Sequence, residues 1–233
     1  MNKFRIGKYR ESDAMIDLVS ENFHALLVMS RFGIALGFGD KSIGEVCREN
    51  EVDIATFLAI INLMEHENTL IRPEQPTLSL TCLIDYLYHS HNYFLKFRLP
   101  EMREKLVDAL NEGNDDLNKA VLGYFDKFVA ALRKHTQNED NKIFPYVQSL
   151  LKGEIGDKSP VIFCKQHEQI QMRLSEFKNI LIKYYPAKHA NKINGVLFDI
   201  FNCENDLASH NAVEEHLFLP AIEVLENKIR KPL

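Results

Sequence analysis

Val121, Phe125, Phe128, Leu132, His135 and Glu139 follow one another in steps of four, three, four, three and four residues. That alternation keeps every member on one side of an α-helix, the side that packs into the centre of a helix bundle. The same steps run through Val196, Ile200, Cys203, Leu207, His210 and Glu214, with Leu217 and Ala221 ahead of them. They recur through Phe163, His167, Ile170, Leu174, Phe177, Leu181 and Tyr184, and through Leu80, Ile84, Leu87, His91 and Phe94. Four long helices are predicted, at about 78–111, 115–152, 159–185 and 188–229. Short connections at Gly113-Asn114-Asp115, Gly153 to Ser159 and Tyr185-Pro186-Ala187 join them, so the expected architecture is all-α, an up-down-up-down four-helix bundle.

The ionisable members of these stripes carry the functional signal. His135 and Glu139, and again His210 and Glu214, stand four residues apart, so each pair leaves one helix face one turn apart. In both copies a proline follows the glutamate by six residues, Pro145 in one and Pro220 in the other. His91 and His167 add one inward histidine each from the other two helices. His89 falls out of phase with His91 and lies with Cys82, Tyr86 and Tyr93 at the flank. An imidazole or carboxylate turned into an apolar core is costly without compensation, and metal coordination supplies it. His91, His135, Glu139, His167, His210 and Glu214 are therefore the candidate ligands, four nitrogens and two carboxylates, enough for two metal ions of the non-haem iron type. His24, His66, His189 and His216 lie off the stripes or in connections and are expected to play no part in binding.

The bundle is preceded by a smaller unit. Arg72-Pro73-Glu74-Gln75-Pro76 reads as a linker, which divides the chain into a helical N-terminal domain, 1–70, and a bundle domain, 71–233. Within the first, Ile16, Val19, Phe23 and Leu26 predict the buried stripe of one helix that ends near Gly33. Gly37-Phe38-Gly39-Asp40-Lys41 predicts a turn, Ser42 to Glu45 a capping box, and Asp53 the N-cap of a helix through Phe57, Ile60 and Leu63. Cys47-Arg48-Glu49-Asn50-Glu51 mixes both charge signs and offers no basic recognition face. With a net charge of −5, this argues against a nucleic-acid partner. No apolar run has the length of a membrane span, and the first residues lack the apolar core of a secretion signal. Cys47, Cys82, Cys164 and Cys203 are scattered, as reduced thiols of a cytoplasmic protein would be.

The two His-x3-Glu phrases with their trailing prolines, and the segment from His91 to Leu99-Pro100, resemble the hemerythrin-like, HHE cation-binding domain. More narrowly, the chain resembles the di-iron proteins that repair iron centres, which join a short N-terminal helical domain to such a bundle. The resemblance implies two iron ions in an oxo- or hydroxo-bridged centre, held by the four histidines and bridged by Glu139 and Glu214. It implies a role in nitrosative or oxidative stress, with O2 or NO as small ligand and apo iron-sulfur proteins as partners; it leaves homodimerisation open. The alternative it allows is an O2- or NO-binding or sensing protein without turnover. One departure bears on that choice. Where the family carries adjacent cysteines, followed by two glycines and a lysine, this chain reads Leu36-Gly37-Phe38-Gly39-Asp40-Lys41.

Overall fold

The computed structural model describes residues 8–65, 78–110, 115–154 and 167–230. The expected domain boundary at 70/71, the turn residues Gly113 and Asn114, and His66, Phe163 and Cys164 lie outside them. Regular structure among the described residues is helical apart from an isolated bridge between Ala14 and Ser42. The elements are α1 Met15–Glu21, α2 Ala25–Arg31, α3 Ile43–Glu49, α4 Ile54–Glu65, α5 Leu80–Tyr93, α6 Leu99–Leu110, α7 Asp115–Asn138, α8 Phe144–Leu151, α9 His167–Tyr184, α10 Ala190–Val213 and α11 Leu219–Arg230. None is long and apolar enough to cross a membrane. Packing divides the chain into two compact units. One is Met1–Ser90 with Tyr146–Asp157 and Ala212–Leu233; the other is His91–Pro145 with Lys158–Asn211.

The second unit is a four-helix bundle. Its core interleaves Leu99, Met102, Leu106 and Leu110 of α6 with Val121, Phe125, Phe128 and Leu132 of α7, Ile170, Leu174, Phe177 and Leu181 of α9, and Val196, Ile200, Cys203 and Leu207 of α10. Polar pairs on the outside give the order of the helices. Arg103 reaches Asp126 across α6 and α7, Tyr124 donates to Glu176 across α7 and α9, Lys178 meets Glu204 across α9 and α10, and Lys105 meets Asp199 across α6 and α10. Lys192 pairs with Asp108 while Asp199 pairs with Lys105, so α6 and α10 run antiparallel, as the alternating topology requires. Among the described residues of the four predicted long helices, the stripe positions are buried except for Ala221, which is half-buried, and Tyr184. Tyr184, the last residue of α9, is 72% exposed.

Among the described residues three π-helical turns interrupt the long helices, at Phe94–Arg98, Glu139–Ile143 and Glu214–Phe218. In each, the next N–H reaches back five residues: Leu99 to Phe94, Phe144 to Glu139 and Leu219 to Glu214. The cause stands one residue further on. Pro100, Pro145 and Pro220 have no N–H for the carbonyl four residues before, and their rings would strike it in a regular helix. Widening the turn by one residue removes the clash without ending the rod. The wide turn before Pro100 thus recurs in the second and fourth helical runs.

In the first unit, Ser42 caps α3 with a reciprocal Glu45 contact, and the Asp53 carboxylate accepts from the Thr56 N–H at 2.9 Å to cap α4. Tyr9 is clipped to α4 through Asn62, which accepts from its N–H at 2.9 Å and donates to its carbonyl at 3.1 Å. Gly37 and Gly39 sit at φ +95° and +64°, the left-handed region that the expected turn needs. The stripe predicted for residues 16–26 is corrected. Ile16, Phe23 and Leu26 are exposed, while Met15, Leu18, Ala25, Val28 and Met29 are buried. The single helix expected there is two. The Asn22 side chain accepts from the His24 N–H at 3.0 Å, a local turn that ends α1, and the buried positions continue in phase through Asn22 into α2.

Cys47 is fully buried in this unit, and burial, then the charge of the neighbouring Cys82 thiol, pushes its pKa from 9.0 up to about 12. A raised folded-state pKa contributes stability that is intact below about 9 and is lost as pH rises through about 12. Native protein at pH 8 is expected to leave Cys47 unalkylated by iodoacetamide until denaturant is added, with the modified peptide read by mass spectrometry. Rapid labelling of the native state would contradict this placement.

Candidate metal centre

The six stripe residues are all buried, from 2% exposed at His91 and His210 to 6% at Glu139. Each is placed by the helix that carries it. His135 stands in the last turn of α7 and His210 in that of α10, each followed by a glutamate, Glu139 or Glu214, that opens a wide turn; His167 opens α9, and His91 stands in the last turn of α5. Their ligand atoms gather into two groups, His91, Glu139, His210 and Glu214 in one, and His135, Glu139, His167 and Glu214 in the other. Within each group the atoms lie within 4.8 Å of one another. The histidines divide two and two, and both glutamates belong to both groups.

Glu139 divides its oxygens between the groups. Its Oε2 is 3.3 Å from Nε2 of His91, whereas Oε1 is 3.2 Å from Nε2 of His135 and 3.9 Å from Nε2 of His167. The imidazoles pair edge to face, His135 with His167 at 4.8 Å between centroids and His91 with His210 at 5.1 Å. Phe94 stands edge-on to His210, and Phe144 stacks on His91 at 5.6 Å. The site is therefore walled by aromatic rings and shielded from water, where an effective penalty of several kcal/mol per uncompensated ion makes coordination the natural use of such groups. The donor set fits. Imidazole nitrogen with carboxylate oxygen suits first-row transition metals, and two such groups joined by shared carboxylates suit a pair of ions. His91 and His210 would hold one ion, His135 and His167 the other, and Glu139 and Glu214 would bridge them.

The other described histidines keep out of this cluster. His89 is exposed, and its Nδ1 lies 2.8 Å from the carbonyl oxygen of Arg31. His189 is exposed, and His24 and His216 are half-buried and belong to neither group. His91→Ala is expected to lose about half of the bound metal and His89→Ala none of it, measured by elemental analysis of reconstituted protein. The reverse pattern would overturn the phase argument for α5.

Two contacts escape a reading by periodicity. Asp140, next to Glu139, places Oδ1 2.7 Å from Nδ1 of His91. Phe144 reaches the same ring because the π turn carries it one position further round than an α-helix would. The only sequence signal for that widening is the proline six residues beyond each glutamate.

No curated protein matches the chain. The family model of the hemerythrin HHE cation-binding domain matches residues 82–222, a span that includes all six clustered residues.

Proposed function

Because the chain belongs to the hemerythrin HHE cation-binding family, we propose that it is a non-haem di-iron protein that handles small diatomic ligands under nitrosative or oxidative stress in the cytoplasm. The observation that carries the reading is the division of the Glu139 oxygens between two His-paired groups, with Glu214 common to both. Iron supplies a change of oxidation state that zinc lacks, and so the capacity to bind and reduce O2 or NO. The protein's part is to hold the ions with His91, His135, His167 and His210. Glu139 and Glu214 balance their charge, and Phe94 and Phe144 keep bulk water from the histidine rings. Resemblance to the proteins that repair iron centres supports iron delivery to apo iron-sulfur proteins as the physiological task.

A second reading, O2 or NO binding without turnover, is favoured by a specific observation. The exposed turn around Leu36 to Lys41 carries no thiol, and the thiols of Cys47 and Cys82 are both pushed up by burial, away from reactivity. Both readings meet in one experiment. Protein purified anaerobically is analysed for metal, its optical spectrum is taken before and after NO, and iron transfer to an apo iron-sulfur protein is assayed. Transfer that restores the acceptor's cluster supports repair. Reversible binding of O2 or NO without transfer supports the second reading. Fully folded protein with no affinity for iron sinks both.

A further inference from the structure

Glu139 and Asp140 are consecutive residues, yet they reach opposite nitrogens of one imidazole. Glu139 Oε2 lies 3.3 Å from Nε2 of His91, and Asp140 Oδ1 lies 2.7 Å from Nδ1. The His91 side chain is 2% exposed and that of Asp140 26%, so the acid reaches the ring from the rim of the site. A carboxylate oxygen only accepts, so at 2.7 Å the ring nitrogen facing it must carry the hydrogen. In a neutral ring that leaves the lone pair on Nε2, the nitrogen directed toward Glu139 and the first metal group. Phe144, stacked on the same ring with planes 8° apart, fixes the remaining rotation.

We infer that Asp140 is a positioning residue, which holds His91 in the Nδ1–H tautomer and presents its Nε2 as a ligand. The inference rests on the metal-centre reading for its purpose, though its geometric content stands apart from it. A half-exposed acid beside a histidine could also be a plain surface pair. That bland role would move neither the tautomer nor the affinity of the centre. The positioning role moves both, because a ligand histidine whose outer nitrogen loses its acceptor typically weakens metal binding by about ten- to a hundredfold.

The test uses full-length protein, with Asp140→Ala and Asp140→Asn beside the wild type. Histidine-selective 15N NMR of chelator-treated protein reads the His91 tautomer, assigned by the signal lost in His91→Gln. Anaerobic competition with a chromophoric chelator reads the affinity for Fe(II). Wild type is expected to show Nδ1–H. Asp140→Ala should lose that preference and bind Fe(II) about ten- to a hundredfold more weakly. Asp140→Asn, whose amide carbonyl still accepts from Nδ1, should recover the tautomer and most of the affinity. An unchanged tautomer in Asp140→Ala overturns the inference even where iron still binds. A changed tautomer in protein that binds no iron sustains the positioning of the ring and instead refutes the metal-centre reading. Should Asp140→Ala fail to fold, a wild-type-like tautomer in Asp140→Asn sustains the inference and its loss there overturns it.

Discussion

Glu139→Ala is expected to strip the protein of both metal ions, where His167→Ala strips it of about one. The difference follows from how the carboxylate is divided, Oε2 toward His91 and Oε1 toward His135 and His167, so one truncation removes a ligand from each group. His167 belongs to one group alone. Reconstituted wild type should hold about two irons per chain, one per group, the His167 variant about one and the Glu139 variant close to none. Elemental analysis against protein concentration decides it. A Glu139 variant that retains a full ion would mean that the carboxylate serves a single metal and that Glu214 alone bridges.

Iron should also raise the melting temperature of wild type by on the order of 10 °C per ion. Metal binds the folded arrangement and not the unfolded chain, and a thousandfold excess over Kd contributes about 4 kcal/mol per site. For a chain of this size each kcal/mol is worth roughly 2–4 °C. The control is the double change Glu139→Gln with Glu214→Gln, which keeps size and removes charge. It should abolish the response to iron. Melted in chelator, it should be no less stable than wild type, because two neighbouring buried carboxylates repel and the amides do not. Thermal melts of the two proteins with and without iron suffice. A wild-type melt indifferent to iron, or a double variant that collapses in chelator, would make the glutamates structural.

Much of the centre is legible in the sequence because a bundle core sets the phase of its helices. Val121 to Glu139 and Val196 to Glu214 advance by fours and threes without a break, so spacing alone puts these ligands on the inner face. Phase does not say which histidines come together. The pairing of His135 with His167 and of His91 with His210 depends on how far antiparallel helices slide along one another, and the side chains at issue are the same for several offsets. Asp140 is invisible to spacing for a related reason. It is off the stripe, and it reaches His91 only because the two helical runs meet at that level. In the N-terminal segment periodicity misleads because two sets with the same spacing lie one residue apart, Ile16, Val19, Phe23 and Leu26 beside Met15, Leu18, Asn22 and Ala25. Spacing does not choose between them, and the second is the buried one.

The three wide turns make the first, second and fourth long helical runs rods with two rotational settings. Before the turn the inner face is counted in fours and threes; across it, Phe94 to Leu99 and Glu139 to Phe144 are inward steps of five. One residue in such a stretch acts as a phase shifter, worth about 100° of rotation. Losing any single residue from 94–98, 139–143 or 214–218 would turn the far half of the run by that angle if the run kept its wide turn, or drive the proline ring against the preceding turn if it closed into a regular helix. In the first case Met102 and Leu106, or Val147 and Leu150, would face outward although none of them had been changed. The chain should therefore tolerate most point substitutions in these turns and reject one-residue deletions, the opposite of what surface loops accept. A deletion scan scored for soluble, iron-binding protein would show three narrow gaps, each ending just before a proline.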